Sequence, residues 1–333
     1  MKRLTLILTI LVAAASCTLS AADAPKRQGW RDDPLYGNVE SVTITEYSLK
    51  DSSGVLSRSK IKEKVCYNFN QSGDVTEVAK YNSDGTLYWK EIAKYDSKGN
   101  LTEASLYNSD GSLNRKAIYK YDTKGNKTEK AEYKSDGSLR NKYTYKYKYD
   151  TKGNKTEEAE YKSDGTLYWR EIYKYDTKGN KTEEAWYASD GSLRRKAIYK
   201  YDTQGNKTET SLYTSAGPLG GKVIAKYDSK GNKSEEVIYN SDGSLWYKNI
   251  YKYDSKGNKS EAVRYASDGS LEAKEIYNSK GNKTEAAEYK SDGSLSVKYT
   301  YKYDAQGNVT EKTEYVGKMQ PTSQIVYTII YRK

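Results

Sequence analysis

From Phe69 nearly to the C-terminus, strand-length segments of mixed apolar and charged residues alternate with polar turn clusters, and the pattern returns about every 26 residues. The aromatic residue that opens the first turn of each unit marks the period: Phe69, Tyr95, Tyr121, Tyr149, Tyr175, Tyr201, Tyr227, Tyr253, Tyr277 and Tyr303. The spacings are 26, except for 28 across an insertion near Lys142–Lys148 and 24 before Tyr277. Both departures are steps of two, which preserve the facing of alternating strand side chains.

Each unit holds two turns. The first reads Tyr121-Asp122-Thr123-Lys124-Gly125-Asn126 and the second Tyr133-Lys134-Ser135-Asp136-Gly137-Ser138. Glycine after a short polar run suits a type I turn closed by a G1 bulge, and the Asp can hydrogen-bond its own backbone two residues on. Ten units with two turns each predict roughly twenty short antiparallel strands. The expected fold class is therefore all-β: a repeat array of antiparallel β-hairpins forming a long twisted, partly curled β-meander.

If each turn closes as a three-residue loop, Tyr107 falls opposite Leu113 and Tyr119 opposite Glu129. One face then collects Leu113, Tyr119, Tyr121, Glu129, Ala131 and Tyr133, and the other Lys116, Ile118, Lys120 and Thr128. The first face is the candidate core, since a sheet with one apolar face must bury it. A glutamate recurs in all ten units, from Glu77 to Glu311, with a tyrosine four residues later. On that facing it accepts phenol hydrogen bonds, as a buried polar group requires. Ten copies indicate scaffold rather than a catalytic acid.

Composition changes the picture of the core. One Phe and 36 Tyr among 333 residues imply half-wet tyrosine packing rather than an ordinary apolar interior. The ends differ from the repeats. Lys2 and Arg3 precede an apolar run from Leu4 to about Ala15, and Ser20 and Ala22 fit signal-peptide cleavage before Asp23. Residues 1–22 are thus expected to be a signal peptide and 23–36 a polar N-terminal segment. Residues 37–68 read as a divergent capping hairpin, 69–315 as the ten repeats and 316–333 as a C-terminal capping strand. The less favoured alternative at the N-terminus is lipidation at Cys17, where Ala14 makes a weak lipobox. Either way the chain is expected to be exported to periplasm, cell surface or medium. The apolar run is too short for a transmembrane helix. With Cys17 in the signal, Cys66 has no intrachain partner.

The chain has no histidine, which excludes imidazole metal sites and Ser-His or Cys-His nucleophiles. Each turn carries one acid, often beside lysine, where a calcium loop needs several converging oxygens. No enzyme, metal or cofactor is expected. The Asn-x-Ser/Thr triplets at Asn100, Asn126 and Asn154 occupy one repeat position, so turn geometry accounts for them. The net charge of +11 offers a basic surface to anionic polymers, although glutamates are interspersed. Nucleic acid is a poor partner for an exported chain.

The candidate ligand-binding residues are the aromatics outside the recurring scaffold: Tyr88-Trp89, Tyr168-Trp169, Trp186 and Trp246-Tyr247. Exposed aromatics on a ladder stack on sugar rings or anchor a protein; equally, they pack across strands.

The string Tyr119-Lys120-Tyr121-Asp122-Thr123-Lys124-Gly125-Asn126, which returns around Tyr149, Tyr175, Tyr201, Tyr253 and Tyr303, resembles the tyrosine–aspartate (YD) repeat of RHS and teneurin-type proteins. It is also similar to MORN-type hairpin repeats of bacterial envelope proteins. The resemblance implies hairpins joined into a spiralling sheet, a bacterial origin, and a link to carbohydrate binding or cell contact. The chain departs from the YD pattern in continuing Asn-Lys-Thr where Arg-Leu is usual, and in its second Asp-Gly turn. The expected function is a non-enzymatic carbohydrate or cell-envelope-polymer binding module. The alternative is a structural or protein–protein interaction scaffold at the bacterial surface.

Overall fold

The computed structural model describes residues 30, 35–52, 55–215, 219–317 and 320–333. The expected signal peptide 1–22 with Cys17, most of the 23–36 segment, and the irregular Gly217-Pro218 lie outside the described residues.

Among the described residues there are twenty-two strands and no helix. They are β1 (Val39–Ser52), β2 (Val55–Phe69), β3 (Val75–Tyr81), β4 (Leu87–Tyr95), β5 (Leu101–Asn108), β6 (Leu113–Tyr121), β7 (Lys127–Lys134), β8 (Leu139–Tyr149), β9 (Lys155–Lys162), β10 (Leu167–Tyr175) and β11 (Lys181–Ala188). They continue as β12 (Leu193–Tyr201), β13 (Lys207–Thr214), β14 (Leu219–Tyr227), β15 (Lys233–Tyr239), β16 (Leu245–Tyr253), β17 (Lys259–Ala266), β18 (Leu271–Tyr277), β19 (Lys283–Tyr289), β20 (Leu295–Tyr303), β21 (Val309–Val316) and β22 (Gln320–Tyr331). They form one antiparallel sheet. The last strand returns to the first: β22 pairs with β1 from Val39↔Tyr331 to Ser48↔Ser323. The first and last strands thus cover each other's edges, which would otherwise be templates for pairing with other chains.

The turns follow from their residues. In the first class, Gly125 N–H donates to Asp122 O at 3.1 Å and Asp122 N–H to Asn126 O at 2.9 Å, with Gly125 at φ 84°. The Asp122 carboxylate accepts from the Lys124 and Asn126 backbone N–H groups and from the Asn126 side chain, all within 2.9 Å. In the second class, Asp190 stands one residue before the glycine and accepts from Ser192 N–H at 2.9 Å and its hydroxyl at 2.5 Å. The turn acids are thus satisfied by their own loops. The Ser or Thr two residues after the turn asparagine reaches a strand carbonyl across the bulge, as Thr102 Oγ1 does to Lys94 O at 3.1 Å.

The bulges correct the expected facing. Tyr121 pairs with Lys127, but the register then shifts, so that Lys120, not Tyr119, lies opposite Glu129. Thr128 is the extra residue, and an odd insertion exchanges the faces. The glutamates consequently share a face with the lysines and isoleucines. Glu183 sits between Lys174 at 3.0 Å and Lys196 at 3.1 Å, and Glu235 between Lys226 at 2.8 Å and Lys248 at 2.6 Å. The other face carries the tyrosines that precede the first turn, together with the positions at which the units differ.

The chain divides into two compact units. Of the described residues, one comprises those up to Asn114 with Lys302–Lys312 and Ser323–Lys333; the other comprises those of Arg115–Tyr301 and Thr313–Thr322. The first unit holds an apolar core of Leu35, Val39, Val42, Phe69 and Val75, against which Trp30 packs edge-on to Tyr67 at 5.1 Å. Burying each such side chain contributes roughly 1.5–3 kcal/mol. Two polar clamps fasten its chain ends. Asn308, 1% exposed, accepts from Tyr36 N–H at 2.6 Å and donates to Tyr36 O at 3.0 Å. The Arg332 guanidinium donates to the carbonyls of Val39 and Phe69.

Candidate ligand-binding face

The second bulge of each unit positions the exposed aromatics. Tyr161 pairs with Leu167, the register shifts, and Glu160 then pairs with Trp169, leaving Tyr168 as the extra residue. Tyr88 and Trp246 hold the same place in their units. A bulged side chain has no cross-strand partner to pack on, and these three are 56%, 45% and 60% exposed for Tyr88, Tyr168 and Trp246 respectively. The residues that follow them, Trp89, Trp169 and Tyr247, return to the ladder and are half-buried.

The second unit gathers Tyr168, Trp169 and Trp186. The Tyr168 ring lies 5.6 Å from that of Tyr143, tilted by 35°. Lys162 Nζ is 5.7 Å from the Tyr168 centroid, and Lys130 Nζ is 5.8 Å from that of Tyr143, within cation–π range. Trp169 Nε1 donates to Glu160 at 3.0 Å, and Asn141 Nδ2 donates to Glu132 at 3.1 Å. Trp186 lies opposite both Glu171 and Arg195, whose side chains meet at 3.5 Å across its strand. Trp246 and Tyr247 form a separate edge-on pair at 5.1 Å on β16. Tyr88 and Trp89 belong to the other compact unit.

The electrostatics of this face are set by burial. Tyr145, 7% exposed, has its phenol pushed well above the usual tyrosine range by desolvation and by Glu160. Desolvation, then Glu184, push Tyr199 up to about 12. Burial raises the Glu171 carboxyl, although Tyr173 donates to it at 2.8 Å, and the adjoining Glu184 raises it further. Burial opposes ionisation of Glu184 as well, but Lys181 at 2.9 Å keeps that carboxyl below its ordinary value. The face therefore offers flat aromatic rings bordered by carboxylate, amide and ammonium groups, a combination able to stack on a sugar ring while hydrogen-bonding its hydroxyls. Among the described residues no cluster of acids and cysteine is placed to hold a metal ion.

Tyr143, Glu160, Glu171 and Arg195 were not singled out in the sequence. Tyr143 lies beside the two-residue insertion, whose Tyr-rich string was its one visible signal. The three charged residues occupy variable positions that face the aromatics only once the bulges are known.

A family model described only as an uncharacterised protein matches residues 222–332. It is not a YD or MORN model. No curated protein matches the chain. Similar solved structures include TcdB2–TccC3 without its hypervariable C-terminal region, at 14% identity over 78% of this chain and 15% of that one, with a TM-score of 0.29. This chain thus spans a small part of TcdB2–TccC3. A porin-like protein from Bacteroides uniformis aligns at 14% identity over 88% of this chain and 96% of that one, with a TM-score of 0.29. A second porin-like protein, from Bacteroides vulgatus, aligns at 11% identity over 88% and 99%, with a TM-score of 0.24. Likeness at these scores transfers no activity or ligand to this chain.

Proposed function

We propose that the chain is an exported, non-enzymatic envelope protein that binds carbohydrate or a cell-envelope polymer through the aromatic face of its second unit. The observation that carries this reading is the Tyr168–Tyr143 stack beside the Trp169–Glu160 hydrogen bond. It joins an exposed platform to oriented polar groups in one place. The strands do not suit a lipid-facing belt: the glutamate face exposes a lysine such as Lys174, 63% exposed, in nearly every hairpin. A Lys at a bilayer midplane costs about 2–4 kcal/mol on a barrel's lipid face. We therefore read the glutamate face as water-bathed.

A glycan and polysaccharide array tests the proposal. Binding is expected, with at least a tenfold loss in Tyr168→Ala and in Trp169→Ala; an array without a hit overturns it. N-terminal sequencing of the exported protein tests the export reading, with Asp23 expected as first residue. The alternative, a protein-interaction scaffold, is favoured by exposed apolar side chains such as Leu139, Leu212 and Ile330. It gains if those positions, rather than the aromatics, govern association.

A further inference from the structure

Three strands of the second unit share a short device. Lys155, Lys181 and Lys233 each follow a turn asparagine, and each is bound by the glutamate three residues on, at 2.5, 2.9 and 2.5 Å for Glu158, Glu184 and Glu236. The bulge after the lysine takes up one residue, so positions i and i+3 share the aromatic face. Tyrosines flank these lysines: the Lys181 ammonium is 4.7 Å from the Tyr173 centroid and that of Lys155 is 5.3 Å from it.

Strand β17 keeps the lysine and lacks the acid. Lys259 lies between Tyr251 and Tyr277, 5.3 Å from each centroid. Three residues on stands Ala262, opposite Tyr251 on one side and Glu275 on the other. Glu275 is held by Lys283 at 2.7 Å and by the Tyr277 hydroxyl at 2.5 Å. It thereby serves the strand β19 lysine, whose own i+3 residue is Ala286. Glu275 acts on the Lys259 charge from a distance, but its carboxylate is bonded to Lys283 and Tyr277 rather than to Lys259. Next on the same face, Arg264 lies over the Tyr247 ring at 5.0 Å. Its Nε is 3.4 Å from Asn249 Oδ1 and 3.9 Å from the exposed Glu272 carboxylate. Burial depresses Lys259 below the ordinary lysine range, a desolvation that the nearby Glu275 only partly offsets.

We propose that Lys259, Ala262 and Arg264 form an oxyanion subsite, in which the carboxylate of an acidic sugar takes the place that Glu184 and Glu236 fill in their own units. Three other repeats display the occupied geometry, with the protein's own glutamate as ligand. Tyr251 and Tyr277 supply ring faces for the attached sugar, and Arg264 a second donor to the acid. The assignment of a sugar rests on the carbohydrate reading; the oxyanion step does not.

Titration calorimetry with glucuronate, glucose and inorganic phosphate tests it. Glucuronate is expected to bind at least tenfold more tightly than glucose, and Lys259→Gln to remove that preference. Ala262→Glu supplies the missing acid and is expected to abolish glucuronate binding. Glu236→Ala is expected to create a second subsite on β15, a gain that loss of folding cannot imitate. Displacement by phosphate assigns the site to oxyanions at large; failure of phosphate to displace restricts it to the acidic sugar. Equal binding of glucose and glucuronate, or unchanged binding in both Lys259→Gln and Ala262→Glu, overturns the subsite. Glucuronate binding without any polymer on the array supports the subsite and removes the carbohydrate-polymer reading. Neutral-glycan binding that Tyr168→Ala abolishes, with no preference for glucuronate, does the reverse.

Discussion

The Tyr175 hydroxyl donates to the backbone carbonyl of Lys155, 2.8 Å away and 20 residues earlier in the chain. The β9–β10 ladder ends at Ile172↔Glu157, and beyond it the phenol continues the connection between the two strands. Tyr95, Tyr201, Tyr227 and Tyr253 make the same bond to Val75, Lys181, Lys207 and Lys233. In the unit with the two-residue insertion the role passes to Tyr147, and Tyr149 turns to the Asn126 side chain instead. The recurring tyrosine is thus a staple between strands as well as an aromatic wall. Tyr175→Phe and Tyr201→Phe should each cost about 1 kcal/mol, the net worth of one intramolecular hydrogen bond. Urea denaturation checks this, with Tyr149→Phe expected to cost less because its ring is exposed.

Acid should unfold the array steeply. Hydrogen bonds from the Asn126 side chain and backbone hold the Asp122 carboxyl below the usual aspartate range, and those from Ser192 do the same for Asp190. A depressed folded value stabilises the protein above the unfolded pKa, and that stability is lost as pH falls through the folded one. The loss should therefore begin near pH ~4 and deepen below it. Denaturation midpoints measured from pH 6 to pH 2 should fall with the uptake of several protons; a flat profile contradicts the role given to the turn acids.

Glu171 should behave in the opposite sense. Its raised carboxyl pKa means that ionisation costs stability, a penalty present above the folded value and absent below the ordinary one. Glu171→Gln keeps an acceptor for Tyr173 and removes the repulsion with Glu184. It should stabilise the protein at pH 8 and leave it nearly unchanged at pH 4, as thermal melts at the two pH values will register.

The glutamate face contributes through numbers rather than strength. Glu129 lies 2.8 Å from Lys142 and 3.0 Å from Lys120, and hydrogen bonds from those two lysines lower its pKa. Because the lysines reach water, Glu129→Gln should cost only about 0.5 kcal/mol. The cost should shrink further in 1 M salt, where the Debye length falls to about 3 Å. Paired denaturation curves at low and high salt measure both effects.

The turns and the strand period were legible in the chain because glycine and aspartate act locally: Gly125 and Asp122 determine their loop whatever surrounds them. The facing was not, because a bulge is a single-residue event, and Thr128 does not announce that it will be skipped in the ladder. Moving that one residue transferred Glu129 from a tyrosine partner to Lys120 and Lys142. Tyr168, Trp169 and Trp186 stood out as departures from the repeat. Glu160 and Arg195 looked like ordinary variable charges, and their bearing on the aromatics depends on cross-strand register. The Tyr175 staple was hidden for a related reason, since its acceptor is a carbonyl, which every residue has.

The pairing of β22 with β1 also bears on how such a chain can evolve. An open stack accepts one more copy of its unit at little cost, because only the cap moves. Here a duplicated 26-residue segment adds two strands between β1 and β22, whose pairing persists only with Arg332 still reaching Val39 and Asn308 still reaching Tyr36. Adding a unit is therefore a larger structural demand on this chain than altering residues inside units already present.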